Sequence, residues 1–205
     1  QIFTVEQNSD EWLELRRGKI TGSKLSGITP KKRGDGKKIG FYELMAERLA
    51  IEEGVEDPME RGHRLEEEAV ELFEKTFEKK VERIGFCVSD LNPSIALSPD
   101  GLIKDADGKY TEAVEVKCLS AARHLEAYFE QKLPDDYEEQ VLQYFIVNED
   151  LETLHFTFYD PRIAAKPMFK IEVHRKDVEG KLQEFLSYQV VALEEVDALL
   201  EKLLF

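Results

Sequence analysis

The chain has 205 residues, 42% of them hydrophobic and 10% aromatic, with a formal net charge of −15 at pH 7. That is enough apolar material for one domain with a substantial core and too little for two, and it excludes a disordered chain. No apolar run nears the ~20 residues of a membrane helix, and the start QIFTVEQNSDEW shows no signal-peptide pattern. A uniformly acidic surface would repel nucleic acid, so a DNA-processing role requires positive charge or bound cations gathered locally.

In chain order, Ser9 or Asp10 reads as the N-cap of a short amphipathic helix in SDEWLELRRGKIT. A Gly-, Ser- and Lys-rich stretch follows, including the basic cluster KKRGDGKK from Lys31 to Lys38, whose plain reading is a solvated loop. FYELMAERLAIEEG predicts a helix closed by Gly54. In HRLEEEAVELFEKTF, Glu66, Ala69, Val70, Phe73 and Phe77 form a core-facing stripe, while Glu67, Glu71, Glu74 and Glu78 share a solvated face. Glu66 is the acid on the apolar face, where it requires a cation, a metal or hydrogen bonds.

VERIGFCVSD, SIALSPD and YTEAVEVKC read as strands. SAARHLEAYFEQ and DDYEEQVLQYFIVNED read as helices, the second turning Tyr137, Val141, Tyr144 and Phe145 inward with Gln140 among them and Gln143 to one side. LHFTFY and FKIEVHR add two strands, and VVALEEVDALLEKLLF closes as an amphipathic helix. Helices before, among and after about five strands indicate a single α/β domain over residues 1–205 with a mixed central sheet. Cys87 and Cys118 lack metal or redox spacing and read as reduced core thiols, and the four histidines are scattered.

The chemistry concentrates between Ser98 and Cys118. Alternation along EAVEVKC puts Glu115 and Lys117 on one face of a strand, with Val114, Val116 and Cys118 on the other. Folding about the DADG turn brings Asp100 within about two residues of register opposite Glu115, roughly 7 Å away. Two carboxylates so placed share a hard divalent cation through oxygen ligands and water, with Lys117 beside them to serve a water. An isolated ExK is more often a surface ion network. Here Pro-Asp, the turn and a phased ExK occur together, and the five polar groups Asp100, Glu115, Lys117, Glu66 and Gln140 each break the inside–outside pattern, which points to one site.

The string PD…EVK resembles the PD-(D/E)xK nuclease superfamily. EWLELRRGKITGS, RGHRLEEEAVELF, SPDGL, VEVKC, YEEQVLQY and FYDPR, taken together, resemble the phage lambda exonuclease family of YqaJ-like viral recombinases. The resemblance implies a restriction-endonuclease-like α/β core whose mixed sheet is flanked by helices. It implies metal ligation by Asp100, Glu115 and the Val116 carbonyl, Lys117 at the attacking water, Glu66 completing a second metal site and Asp90 as an accessory acid. The family's helix glutamine falls on Gln140 by helical phasing, with Gln143 as its competitor. Arg16 matches the family's arginine for the substrate's 5′-phosphate, and Ser23 and Ser98 match its hydroxyl partners.

The activity implied is Mg²⁺-dependent 5′→3′ degradation of one strand of linear double-stranded DNA, with two ions bound and Mn²⁺ able to substitute. Further implications are a homotrimeric ring, a single-strand annealing partner, phage-type recombination and a cytoplasmic location without membrane attachment. Within the ring, KKRGDGKK becomes a DNA contact. The rivals are a site-specific endonuclease on the same fold and a catalytically inactive DNA-binding protein. The intact Asp100–Glu115–Lys117 set argues against the inactive form.

Overall fold

The computed structural model describes residues 9–11, 14, 17, 36–49 and 58–204. Its elements are α1 (Ile39–Leu49), α2 (Pro58–Phe77), β1 (Cys87–Val88), β2 (Ala96–Leu97), β3 (Gly101–Lys104) and β4 (Tyr110–Lys117). They continue with α3 (Ala121–Glu130), a 3₁₀ turn (Asp135–Tyr137), α4 (Glu138–Val147), β5 (Thr153–Tyr159), β6 (Met168–His174) and α5 (Arg175–Leu204). The chain divides into two compact units, one of Gln1–Gly62, Cys118–Lys132 and Phe158–Phe169, the other of His63–Lys117, Leu133–Thr157 and Lys170–Phe205.

The second unit carries the sheet, in the order β3-β4-β5-β6, except for the last two residues of β5, the first two of β6 and the connection between them, which belong to the first. β3 and β4 are an antiparallel hairpin about Asp105–Gly108. Asp105 Oδ1 accepts the Asp107 and Lys109 N–H groups, and Gly108 takes φ +84°, a conformation cheap only for glycine. The start of β5 lies beside the start of β4, Glu152 N–H donating to Thr111 at 2.8 Å, so these strands run parallel and the intervening helices form the crossover. β6 returns antiparallel, with Arg175 N–H donating to Glu152 at 2.9 Å. The sheet is therefore mixed, as the helix–strand alternation predicts.

Helices cover both faces. α2 buries Leu65, Ala69, Val70 and Phe73, and the Phe73 ring meets His155 of β5 at 5.4 Å. On that face Glu112 takes Lys79 at 2.7 Å and His155 at 2.5 Å, so a half-buried acid is matched by donors. On the other face Tyr137 packs against Phe156 at 5.3 Å, and α4 buries Val141, Leu142, Tyr144 and Phe145. α5 lays Val178, Leu182, Phe185 and Leu193 over Ile95, Leu142 and Ile146. Arg175 donates from Nη2 to Phe145 and Asn148 at 2.7 Å each, and from Nε to Leu151 at 2.8 Å, so a cation satisfies carbonyls at the end of α4.

In the first unit, α1 and α3 share a core of Tyr42, Ala46, Ala122, Leu125 and Ile163. Ser120 Oγ caps α3 by accepting the Arg123 N–H. Asp160, fully buried, is held by Arg162 through two 2.8 Å bonds.

Three sequence expectations change. The last helix begins at Arg175 and not near Val190, because the apolar stripe Val178, Leu182, Phe185 is already amphipathic. VERIGFCVSD forms only the two-residue β1 and a bridge from Glu82 to Leu102, since residues 84–86 face solvent or its margin. GLIK, read only as one arm of the hairpin, is a buried strand of its own. The expected helix end at Gly54, and the helix ahead of Arg17 apart from residues 9–11, 14 and 17, lie outside the described residues. Neither Cys87 nor Cys118 forms a disulfide, both are half-buried, and burial pushes the Cys87 thiol up.

Candidate active site

Register makes the site. The β3–β4 ladder pairs Gly101 with Val114, so Asp100 faces Glu115 one step further on, a tighter match than the two-residue offset expected. Asp100 Oδ2 accepts the Val116 N–H at 2.7 Å, which fixes the carboxylate against the next strand. The close approach behind it requires glycine at 101. A Cβ there would stand 2.1 Å from Val81 Cγ1.

Glu115 is 2% exposed, an ionisable group that needs partners at that depth. Oε1 accepts from Lys117 Nζ at 2.5 Å and from Gln140 Nε2 at 2.6 Å, and Oε2 accepts from the Tyr144 hydroxyl. Lys117 Nζ also sits 5.2 Å above the Tyr137 ring, a cation–π contact that limits where the ammonium points. α4 thus delivers Gln140 and Tyr144, one turn apart on one face, to the end of β4.

Burial and then the adjacent Glu115 carboxylate push the Asp100 carboxyl up to about 7, against the opposing pull of the Val116 N–H bond. Glu66 adds to the rise and Lys117 opposes it. Burial, followed by Glu115, raises the Tyr144 phenol above its ordinary value, so it stays a donor at any working pH.

Glu66 lies at the edge of the α2 stripe, its side chain 36% exposed, and the buried place expected for it is taken by Leu65. It points to the same rim, where Arg83 Nη1 stands 4.0 Å from its Oε1. Gln143 turns away to donate to the Ala96 carbonyl at 3.1 Å, leaving Gln140 as the glutamine at Glu115. Asp90 is exposed and lines a cavity of about 430 Å³ with Tyr110, Tyr144, Asn148 and Asp150, whose lining does not include Asp100 or Glu115. Ser98 is exposed ahead of the buried Pro99. Arg16, Ser23 and most of the Lys31–Lys38 cluster lie outside the described residues.

Two participants escaped the sequence reading. Tyr144 reads in the sequence as part of the core stripe, although its place four residues after Gln140 on the same face is the available signal. Arg83, in an irregular segment without periodicity, gave none.

Among the described residues no three acids or histidines gather closely enough to cage an ion by themselves. The donor set still suits a hard cation that keeps waters and takes few carboxylates. Asp100 and Glu115 offer oxygens only, and burial, followed by Glu115, keeps the Asp100 carboxyl raised.

The sequence matches the family model of the YqaJ-like viral recombinase domain over residues 11–151. The structure is similar to two crystal structures of the alkaline exonuclease LHK-Exo from Laribacter hongkongensis, one of them in complex with dAMP. Each has a TM-score of 0.56 at 23% identity, covering 95% of this chain and 100% of that one, and the shared fold is PD-(D/E)xK. Comparison with curated proteins found no match. The chain belongs to the YqaJ-like viral recombinase family.

Proposed function

We propose that this member of the YqaJ-like viral recombinase family is a metal-dependent 5′→3′ exonuclease that degrades one strand of linear double-stranded DNA to mononucleotides. The observation that carries the reading is the convergence on Glu115 of Lys117, Gln140 and Tyr144, directly opposite Asp100. A buried carboxylate held by three donors beside a second, raised carboxyl is poor for stability and suited to a cation and a water. The dAMP bound by LHK-Exo, a mononucleotide on a similar fold, supports this choice of product.

Mg²⁺, with Mn²⁺ as a substitute, would be held by Asp100, Glu115 and the Val116 carbonyl, with Glu66 serving a second ion. Such ions lower the pKa of bound water and offset charge on the leaving oxygen. The protein's own part is positional. Lys117 keeps a positive charge beside the attacking water, and Gln140 and Tyr144 fix the rotamer of Glu115. Arg16, Ser23 and Ser98 would receive the 5′-phosphate that marks a strand end, with Asp90 as an outer acid. The enzyme works as one nuclease domain within a homotrimer in the cytoplasm, passing its product strand to an annealing protein in phage-type recombination.

The test is incubation of the purified protein with Mg²⁺ and linear duplexes labelled at either end, with 5′-phosphate or 5′-hydroxyl termini, beside a closed circle. Release of mononucleotides from linear duplexes alone, fastest from 5′-phosphorylated ends, is expected. Cutting of the circle would overturn the exonuclease reading.

A further inference from the structure

Arg83 brings a cation to the rim of the acid cluster from the irregular segment between α2 and β1. Its Nη1 donates to the Asp100 carbonyl at 3.0 Å and lies 4.0 Å from Glu66 Oε1, and the side chain is 42% exposed. The backbone beneath it is fixed. Neighbouring Glu82 exchanges two bonds with Leu102, at 2.8 and 3.0 Å, so Arg83 springs from an anchored edge of the sheet.

Neither contact explains the arginine. A 4.0 Å pair between half-exposed groups is beyond hydrogen-bond length and, screened by solvent, contributes little. The bond to Asp100 uses one of the five N–H donors of a guanidinium on a neutral carbonyl. Among the described residues its other donors have no hydrogen-bond partner. Lys117, the other cation here, is already committed to Glu115 and to the Tyr137 ring. A planar fork seated by one nitrogen, charged at every working pH and opening beside three carboxylates, is what a polyanion needs to approach them.

We propose that Arg83 binds a backbone phosphate of the DNA strand being cut, as a subsite next to the Asp100–Glu115 centre and separate from the end-recognition residues. The proposal rests on the nuclease reading above. The contact is made in the bound substrate as much as at the reacting bond, so it acts on binding more than on turnover.

Arg83→Gln retains an amide donor for the Asp100 carbonyl and removes the charge, whereas Arg83→Lys retains charge without the fork. Binding of a linear duplex in Ca²⁺ across a salt series, beside cleavage kinetics in Mg²⁺, tests the idea. In Arg83→Gln the slope of log K against log salt becomes shallower by about 0.9, the loss of one phosphate contact. Its KM rises about tenfold with kcat within about twofold, the scale of one charge-assisted bond. Arg83→Lys restores the slope and recovers KM only in part. An unchanged slope in Arg83→Gln overturns the proposal, as does a fall in kcat with constant KM, which would assign Arg83 to holding Glu66. A parent protein that binds duplex without cleaving it sinks the nuclease reading and leaves the slopes to decide Arg83. A parent that binds no duplex refutes both.

Discussion

Asp100→Asn removes a charge and almost no volume, and an asparagine oxygen still accepts the Val116 N–H that Asp100 accepts at 2.7 Å. What disappears is a carboxylate whose ionisation the fold opposes. Its pKa rises from the ordinary 3.8 to about 7, chiefly through burial and then through Glu115. For an acid with a raised pKa, the folded state holds the proton more tightly than the unfolded chain. Stability therefore falls as pH climbs from about 4 to about 7, and the full penalty is present above that window. The shift sets an upper limit of about 4 kcal/mol. Solvent reaching the partly exposed carboxylate reduces this, and about 2 kcal/mol is expected at pH 8. In thermal melts with EDTA at pH 8 the asparagine variant should unfold about 6 °C above the parent, a gain for a change expected to abolish cleavage. The gain shrinks as pH falls through 7 and vanishes near 4. If Asp100 ligates Mg²⁺ as proposed, adding the ion should reverse the order, because the parent alone would gain stability by binding it. A variant that melts at or below the parent at pH 8 without metal would refute the reasoning, because Asp100 would then carry no electrostatic strain.

Tyr144→Phe leaves Glu115 Oε2 buried without its donor, so urea denaturation should show a loss of about 1–3 kcal/mol, with slower cleavage alongside. Gly101→Ala places a methyl 2.1 Å from Val81 Cγ1 and should cost about 1–3 kcal/mol in thermal melts. Val81→Ala on that background should recover most of it, and no recovery would mean that the strain lies elsewhere. Glu66→Gln should cut cleavage strongly in a Mg²⁺ assay while Glu67→Gln, exposed on the neighbouring face, is nearly silent; equal effects would contradict the placement of α2.

The parts of the site legible in the sequence obey a fixed period. Strand alternation places Glu115 and Lys117 on one face, and the DADG turn with Gly108 at positive φ sets which residues of the hairpin meet. Helical phasing puts Gln140 ahead of Gln143, because the turn of α4 facing the sheet is set by Val141 and Tyr144. VERIGFCVSD reads as a strand, yet ahead of the two-residue β1 only Glu82 bridges to the sheet, so its anchoring and the reach of Arg83 depend on tertiary contacts. Glu66 shows a different limit. A stripe read off a helical wheel is uncertain by one residue at its margin, and Leu65 wins the interior place because it buries an apolar side chain at no desolvation cost.

The clasp made by Arg175 has a mechanical meaning for the other end of α4. By gripping carbonyls of residues 145, 148 and 151 at once, it stops that helix from sliding along or rotating about its own axis. Gln140 and Tyr144 ride on the same rod, and a slip of one residue, ~1.5 Å of travel and ~100° of turn, would withdraw both from Glu115. The acid pair is thus aimed through α4 by a joint at the other end of that helix. Loosening that joint would blur the aim of the site while leaving each of its residues in the sequence.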